Sequence, residues 1–233
     1  MTSLEGILQS IDWKSNCKIA LSHNDAEEMI RELNTRIAVW SKQLEIVDFG
    51  NPALSFVREM QASAQMSGAL VGLCLYKASA AASRSLVESC LYYSYFRTHP
   101  EELATLANNE KFYISKQEII EYHKLHTVGF VAAQGQFGLV SELQLWYSQV
   151  SAVVHGQVPG TWGGYQSLSD IGFVDTVQDQ AMATLLTAGR LANDLLLCTV
   201  SGKFWASFAP DAKQFLLKGM AGSKRQALGL DAK

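Results

Sequence analysis

Residues 70–97, LVGLCLYKASAAASRSLVESCLYYSYFR, constrain this chain more than any other stretch. The run holds no proline, and read as a helix it places apolar residues on nearly every side. A helix of that kind is buried and wrapped by others. Its small residues, Ala78 to Ser83, let neighbouring backbones approach closely. Two groups on it do not belong in a core without partners: Arg84 and Glu88, one helical turn apart. As an intrahelical pair they stand in the less favourable order, base before acid. On a buried helix so weak a pairing does not offset desolvation. The expectation is that each meets a polar group of another helix rather than its neighbour.

The remaining text reads as helices around this one. Asn24, with Glu27 three residues on, has the form of a capping box. It is followed by a stripe of Ile30, Leu33, Ile37, Trp40, Leu44 and Val47 at spacings of three and four. Asp48 to Asn51 break that pattern, and Pro52 suits the first turn of a new helix. A more polar helix covers 53–67, and Gly68 and Gly72 leave open whether 53–97 is one kinked helix or two. The residue before a proline is biased away from helix, so the central run ends at Thr98-His99. Pro100 with Glu101 and Glu102 then starts a short helix. Ser115 and Glu118 form a second capping box, opening a helix to about Thr127. Residues 128–138, rich in glycine and small side chains, read as a loop.

Leu139, Leu143, Tyr147, Val150 and Val154 stripe a helix that ends at His155, with Gly156 as its C-cap. Four glycines and a proline in 156–167 mark an irregular surface loop. A long helix over 171–200 turns Val174, Val177, Ala181, Leu185 and Ala188 inward, and Pro210 starts a last short one. No stretch alternates with period two. The expected class is all-α, a multi-helix bundle around a buried central helix at about 70–97. Residues 1–22 form a weakly patterned N-terminal segment, 23–219 a single helical domain and 220–233 a polar, mobile tail.

Apolar residues are 48% of the 233, which excludes global disorder, and a net charge of −3 makes no global case for nucleic acid or a membrane surface. No apolar run approaches the ~18 residues that span a bilayer. The opening MTSLEGILQSIDWK lacks the pattern of a secretory signal. The expected location is cytoplasmic. Cys17, Cys74, Cys90 and Cys198 show no paired spacing, and the last three sit in apolar helical text as reduced core thiols.

Few residues offer chemistry. His155 ends its helix with Ser148 and Ser151 on the same side, where the dipole favours a cation. That suits a general acid or base, or a side chain that simply caps the last carbonyls. His123 and His126, with Glu118 and Glu121 one turn earlier, lack an identifiable third ligand, so no metal is assigned. Phosphate-binding glycine loops and nucleophile elbows are missing, and no cofactor is assigned. Lys213, Lys218, Lys224 and Arg225 read as a solvated basic surface. The candidate site is Arg84, Glu88, Ser151 and His155.

Three stretches taken together resemble a known type: ASRSLVESCLYYSYF at 82–96, HPEEL at 99–103 and YSQVSAVVHG at 147–156. An Arg-x-x-x-Glu helix followed by a helix ending in Ser-x-x-x-His-Gly is similar to prokaryotic HEPN-like helical proteins, over roughly 64–156. These include relatives of abortive-infection and toxin components. The resemblance implies a bundle of four or more helices, frequent dimerisation and, in active members, metal-independent RNA cleavage. Active members carry an arginine ahead of the histidine in an Arg-x4-6-His motif. Here His155 matches the histidine, but the arginine positions hold Ser148, Gln149 and Val150, and only Arg84 from the other helix could substitute.

The first reading is therefore a HEPN-like protein of a bacterial defence or toxin–antitoxin system, RNA-directed through the four-residue cleft. The alternative is a non-catalytic protein-interaction or antitoxin-like module in which the same residues form a buried structural network. A third reading is a small-molecule or nucleotide-binding bundle with residues 161–167, TWGGYQS, as its lid. Expected partners are a second copy of the chain, RNA or another protein, and no membrane.

Overall fold

A computed structural model describes residues 3–157, 160, 162 and 165–230. Every regular element among them is helical. In order these are α1 (Leu4–Ser10), α2 (Trp13–Ser22), α3 (Ala26–Val47), α4 (Leu54–Gly72), α5 (Tyr76–Phe96), α6 (Pro100–Asn108), α7 (Lys116–His126), α8 (Phe130–Phe137), α9 (Leu139–Val154), α10 (Asp175–Thr199), α11 (Ser201–Phe204), α12 (Pro210–Leu216) and α13 (Gly222–Ala227). The all-α class is as expected.

Helix α5 is the centre, packed against α4, α7, α9 and α10. It is shorter than the apolar run. Residues 70–72 belong to α4, and the joint at 73–75 is turned by Cys74 in the left-handed region, at φ 58°. Residues 53–97 are thus two helices, folded back on each other. Small side chains let them close tightly. The Ser67 and Ser79 hydroxyls each donate to the other's carbonyl, at 3.1 and 3.0 Å, and Ser83 Oγ lies 2.7 Å from Ser67 Oγ. Nor is α5 wrapped all round. Lys77 and Ala78 are exposed and Ala81, Arg84, Ser85, Glu88 and Tyr92 half-buried, one open strip at helical spacing. Alanine counts as apolar in the sequence but has too little surface to require cover.

The α3 stripe from Ile30 to Leu44 is buried, with Trp40 donating from its indole to Asn193 Oδ1 at 3.0 Å on α10. Its start differs from expectation. A capping residue needs extended backbone, whereas Asn24 and Asp25 are both left-handed, at φ 47° and 57°. The Asn24 amide instead donates to Asp179 Oδ1 at 3.1 Å. The second box is formed: Ser115 Oγ accepts from the Glu118 amide, and Glu118 accepts from the Ser115 amide.

Residues 4–22, weakly patterned as text, are two helices started by Ser3 and Asp12 side-chain caps. Gln178 ties α2 to α10 by donating to Ala20 O at 2.9 Å. Residues 130–137, read as a loop, are helical: left-handed Gly129 and Gly138 bound the segment, and buried Phe130 and Phe137 pin it. Tertiary burial overrides weak local propensity there. Residues 220–233, read as a mobile tail, include α13. Arg225 there donates to Met220 O and Leu217 O, and Leu230 is buried. Val174 is 45% exposed rather than inward, because α10 begins only after it.

Cys74, Cys90 and Cys198 are buried and free, and Cys17 is half-buried. Burial pushes the Cys74 and Cys90 thiols above their usual range. No helix among the described residues is long and apolar enough to cross a membrane.

Candidate functional site

The open strip of α5 faces α9. Helix α9 ends in two backbone bonds, Gly156 N–H to Val153 O and Gln157 N–H to Ala152 O, with Gly156 left-handed at φ 68°. This paired closure is the Schellman form, and it fixes where His155 leaves the helix.

Arg84 and Glu88 do bind each other, contrary to expectation: Nε donates to Glu88 Oε1 at 3.0 Å. Each also reaches α9. Tyr147 donates its hydroxyl to the same Glu88 Oε1, at 2.5 Å. Arg84 Nη1 lies 3.0 Å from His155 Nε2, and the guanidinium carbon sits 4.8 Å from the centre of the Tyr147 ring. The cross-helix contacts explain why an unfavourably ordered pair is kept: neither member depends on the other alone. At 23% and 33% side-chain exposure, the pair is not sealed from water.

The electrostatics follow from these contacts. Burial works against the Arg84 charge, but Glu88 outweighs it and the guanidinium pKa rises. Burial, then the Glu88 hydrogen bond and charge, push the Tyr147 hydroxyl up to about 12. A guanidinium only donates, so in this contact His155 Nε2 is the acceptor. The lone pair a general base would use is thereby engaged.

Ser151 does not join this network; its Oγ is buried with no hydrogen-bond partner among the described residues. A cleft of about 320 Å³ beside the network is lined by Arg84, Glu88, Tyr92, Tyr113, Lys116 and Tyr147. Ser151 and His155 are not among its lining residues. Sequence reading missed Tyr147, taken only as part of an apolar stripe, and Lys116, whose ammonium sits 4.0 Å from the Tyr147 ring centre. The Tyr147 signal was present: a phenol on a half-buried stripe needs a partner for its hydroxyl.

The other histidines are engaged too. His123 is buried, with Nε2 2.9 Å from Ser94 Oγ and Nδ1 2.8 Å from Thr127 Oγ1. Both ring nitrogens are occupied, and His126 packs against the Tyr122 ring, with centres 4.9 Å apart. His23, which sequence reading passed over, meets two carboxylates, with Nε2 3.0 Å from Asp175 Oδ1 and 2.9 Å from Asp179 Oδ1. This trio clamps the end of α2 to the first turns of α10. Trp162 and Tyr165 of the proposed lid line an apolar hollow of about 490 Å³ with Leu75 and Tyr76, whereas Thr161, Gly163 and Gly164 lie outside the described residues. Comparisons of the chain with known protein families, characterised proteins and solved structures find no match.

Proposed function

We propose that this chain is a non-catalytic HEPN-like helical protein, a protein-interaction or antitoxin-like module of a bacterial defence or toxin–antitoxin system. One observation carries the reading. The side chains that would do chemistry are spent on one another across α5 and α9. Ribose activation needs a free imidazole lone pair, and phosphate charge needs a free cation. Here the Arg84 cation occupies the His155 lone pair, and Ser148, Gln149 and Val150 supply no arginine.

A second reading, RNA binding without cleavage, has its own support. Arg84 and Lys116 are interleaved with Tyr92, Tyr113 and Tyr147 around the 320 Å³ cleft, a cation and aromatic mixture suited to a single strand. Both readings are tested by incubating labelled single-stranded RNA with the protein in EDTA and resolving the products on a denaturing gel. The expected result is intact RNA. Shortening by the wild type, lost in a folded Arg84→Ala/His155→Ala variant, would overturn both. Weaker retention of RNA by Tyr113→Ala or Lys116→Ala selects the second. The resemblance also implies a homodimer, which light scattering measures directly.

A further inference from the structure

A cavity at the C-terminal end of α5 is separate from the α5–α9 network. It encloses about 640 Å³ between that end, the α7–α8 joint and the α10–α11 junction. Its lining holds two permanent cations, Arg97 and Lys203, and no aspartate or glutamate. The volume falls in the range of small-molecule sites.

Arg97 is the unusual member. Its side chain is only 6% exposed, yet Nε and Nη2 are buried with no hydrogen-bond partner among the described residues. The nearest carboxylate, Asp48, stands 3.5 Å from Nε through Oδ2. That oxygen already accepts from the Tyr93 hydroxyl at 2.9 Å and the Asn51 amide at 3.1 Å. Phe204 offers Arg97 a ring face, at 4.5 Å, but no acceptor. Nε is ion-paired with Asp48, and since buried charged donors are normally satisfied, Nη2 is the donor left without an acceptor. Several hydroxyls around the cavity are already committed as donors. Thr98, Thr199 and Ser201 donate to helix carbonyls of residues 95, 195 and 197.

We propose that this cavity binds a small organic anion, its phosphate or carboxylate head received by the Arg97 guanidinium in the cavity wall, with exposed Lys203 at the mouth. The body of the ligand lies on the apolar side formed by Ala132, Ala133, Leu197 and Leu228. The enclosed position of Arg97 fits a small head group rather than a polymer backbone.

The test uses inorganic phosphate on the full chain, titrated against chloride at constant ionic strength while the melting temperature is read. A bound anion raises it along a saturating curve. The rise is expected in the wild type, weakened in Lys203→Met and abolished in Arg97→Met. The methionine keeps an aliphatic stem over Phe204, and Asp48 keeps its Tyr93 and Asn51 bonds. Circular dichroism checks the fold; if Arg97→Met does not fold, Lys203→Met at an exposed position carries the comparison. Acetate in place of phosphate separates the two head groups, and adenosine monophosphate binding more tightly than phosphate supports an organic body. A rise without saturation, equal in wild type and variants, is the general effect of an excluded anion. That result, or no rise at all, overturns the proposal.

Discussion

Arg84 holds α5 to α9 through two contacts at once, the hydrogen bond to His155 and the Tyr147 ring face, and pairs with Glu88 on its own helix. Arg84→Ala is expected to cost about 1–2 kcal/mol, since Glu88 and His155 are exposed enough to rehydrate. Tyr147→Phe removes only the hydroxyl on Glu88 and should cost about 1 kcal/mol. Because both act on one carboxylate oxygen, the double variant should fall short of the sum, which urea unfolding of the four proteins measures. His123 makes a different prediction. Burial first, then the charges of Arg97 and His99, hold it at about 4, against 6.5 for a free imidazole. An unfolded chain therefore takes up this proton near pH 6.5 and the folded one only near 4. As pH falls through that window the unfolded state binds more protons, and stability drops by on the order of 3 kcal/mol. His123→Gln should flatten unfolding free energies measured between pH 7 and 4.5. An unchanged slope in a folded variant would assign the effect to other groups. Of these residues, Arg84 and Glu88 were legible in the sequence because charge on apolar text is conspicuous. Tyr147 was not, because spacing records which face it takes and says nothing of where its hydroxyl ends.

Helices approach most closely where a glycine removes a side chain. A Cβ on Gly189 of α10 would meet Leu33 Cδ1 at 2.6 Å and Cγ at 2.7 Å. Gly189→Ala is thus expected to cost about 1–3 kcal/mol, although alanine favours an isolated helix by about 1. Gly135 on α8 has open space around it, so Gly135→Ala should add up to about 1 kcal/mol. Opposite shifts in the urea midpoint check the pair; two stabilised variants would refute the close crossing of α3 and α10. At this scale, elements with strong stripes or caps, such as α3, α7 and α9, were readable from spacing. Helices α8 and α13 were not. Glycines in and around both obscure them in the text, and what holds them is burial of Phe130, Phe137 and Leu230 against other parts of the chain.

For the whole molecule, composition and periodicity were enough for the all-helical class, because a bundle needs only apolar stripes that face inward. They could not place the cavity beside Arg97, which depends on four separate stretches of chain meeting at the end of α5. The same assembly also distributes the sulfur unevenly. Three thiols are shut inside the bundle and one, Cys17, reaches its surface. Under oxidation each molecule therefore has a valence of one: covalent association stops at pairs, and neither chains nor networks can grow from the folded protein.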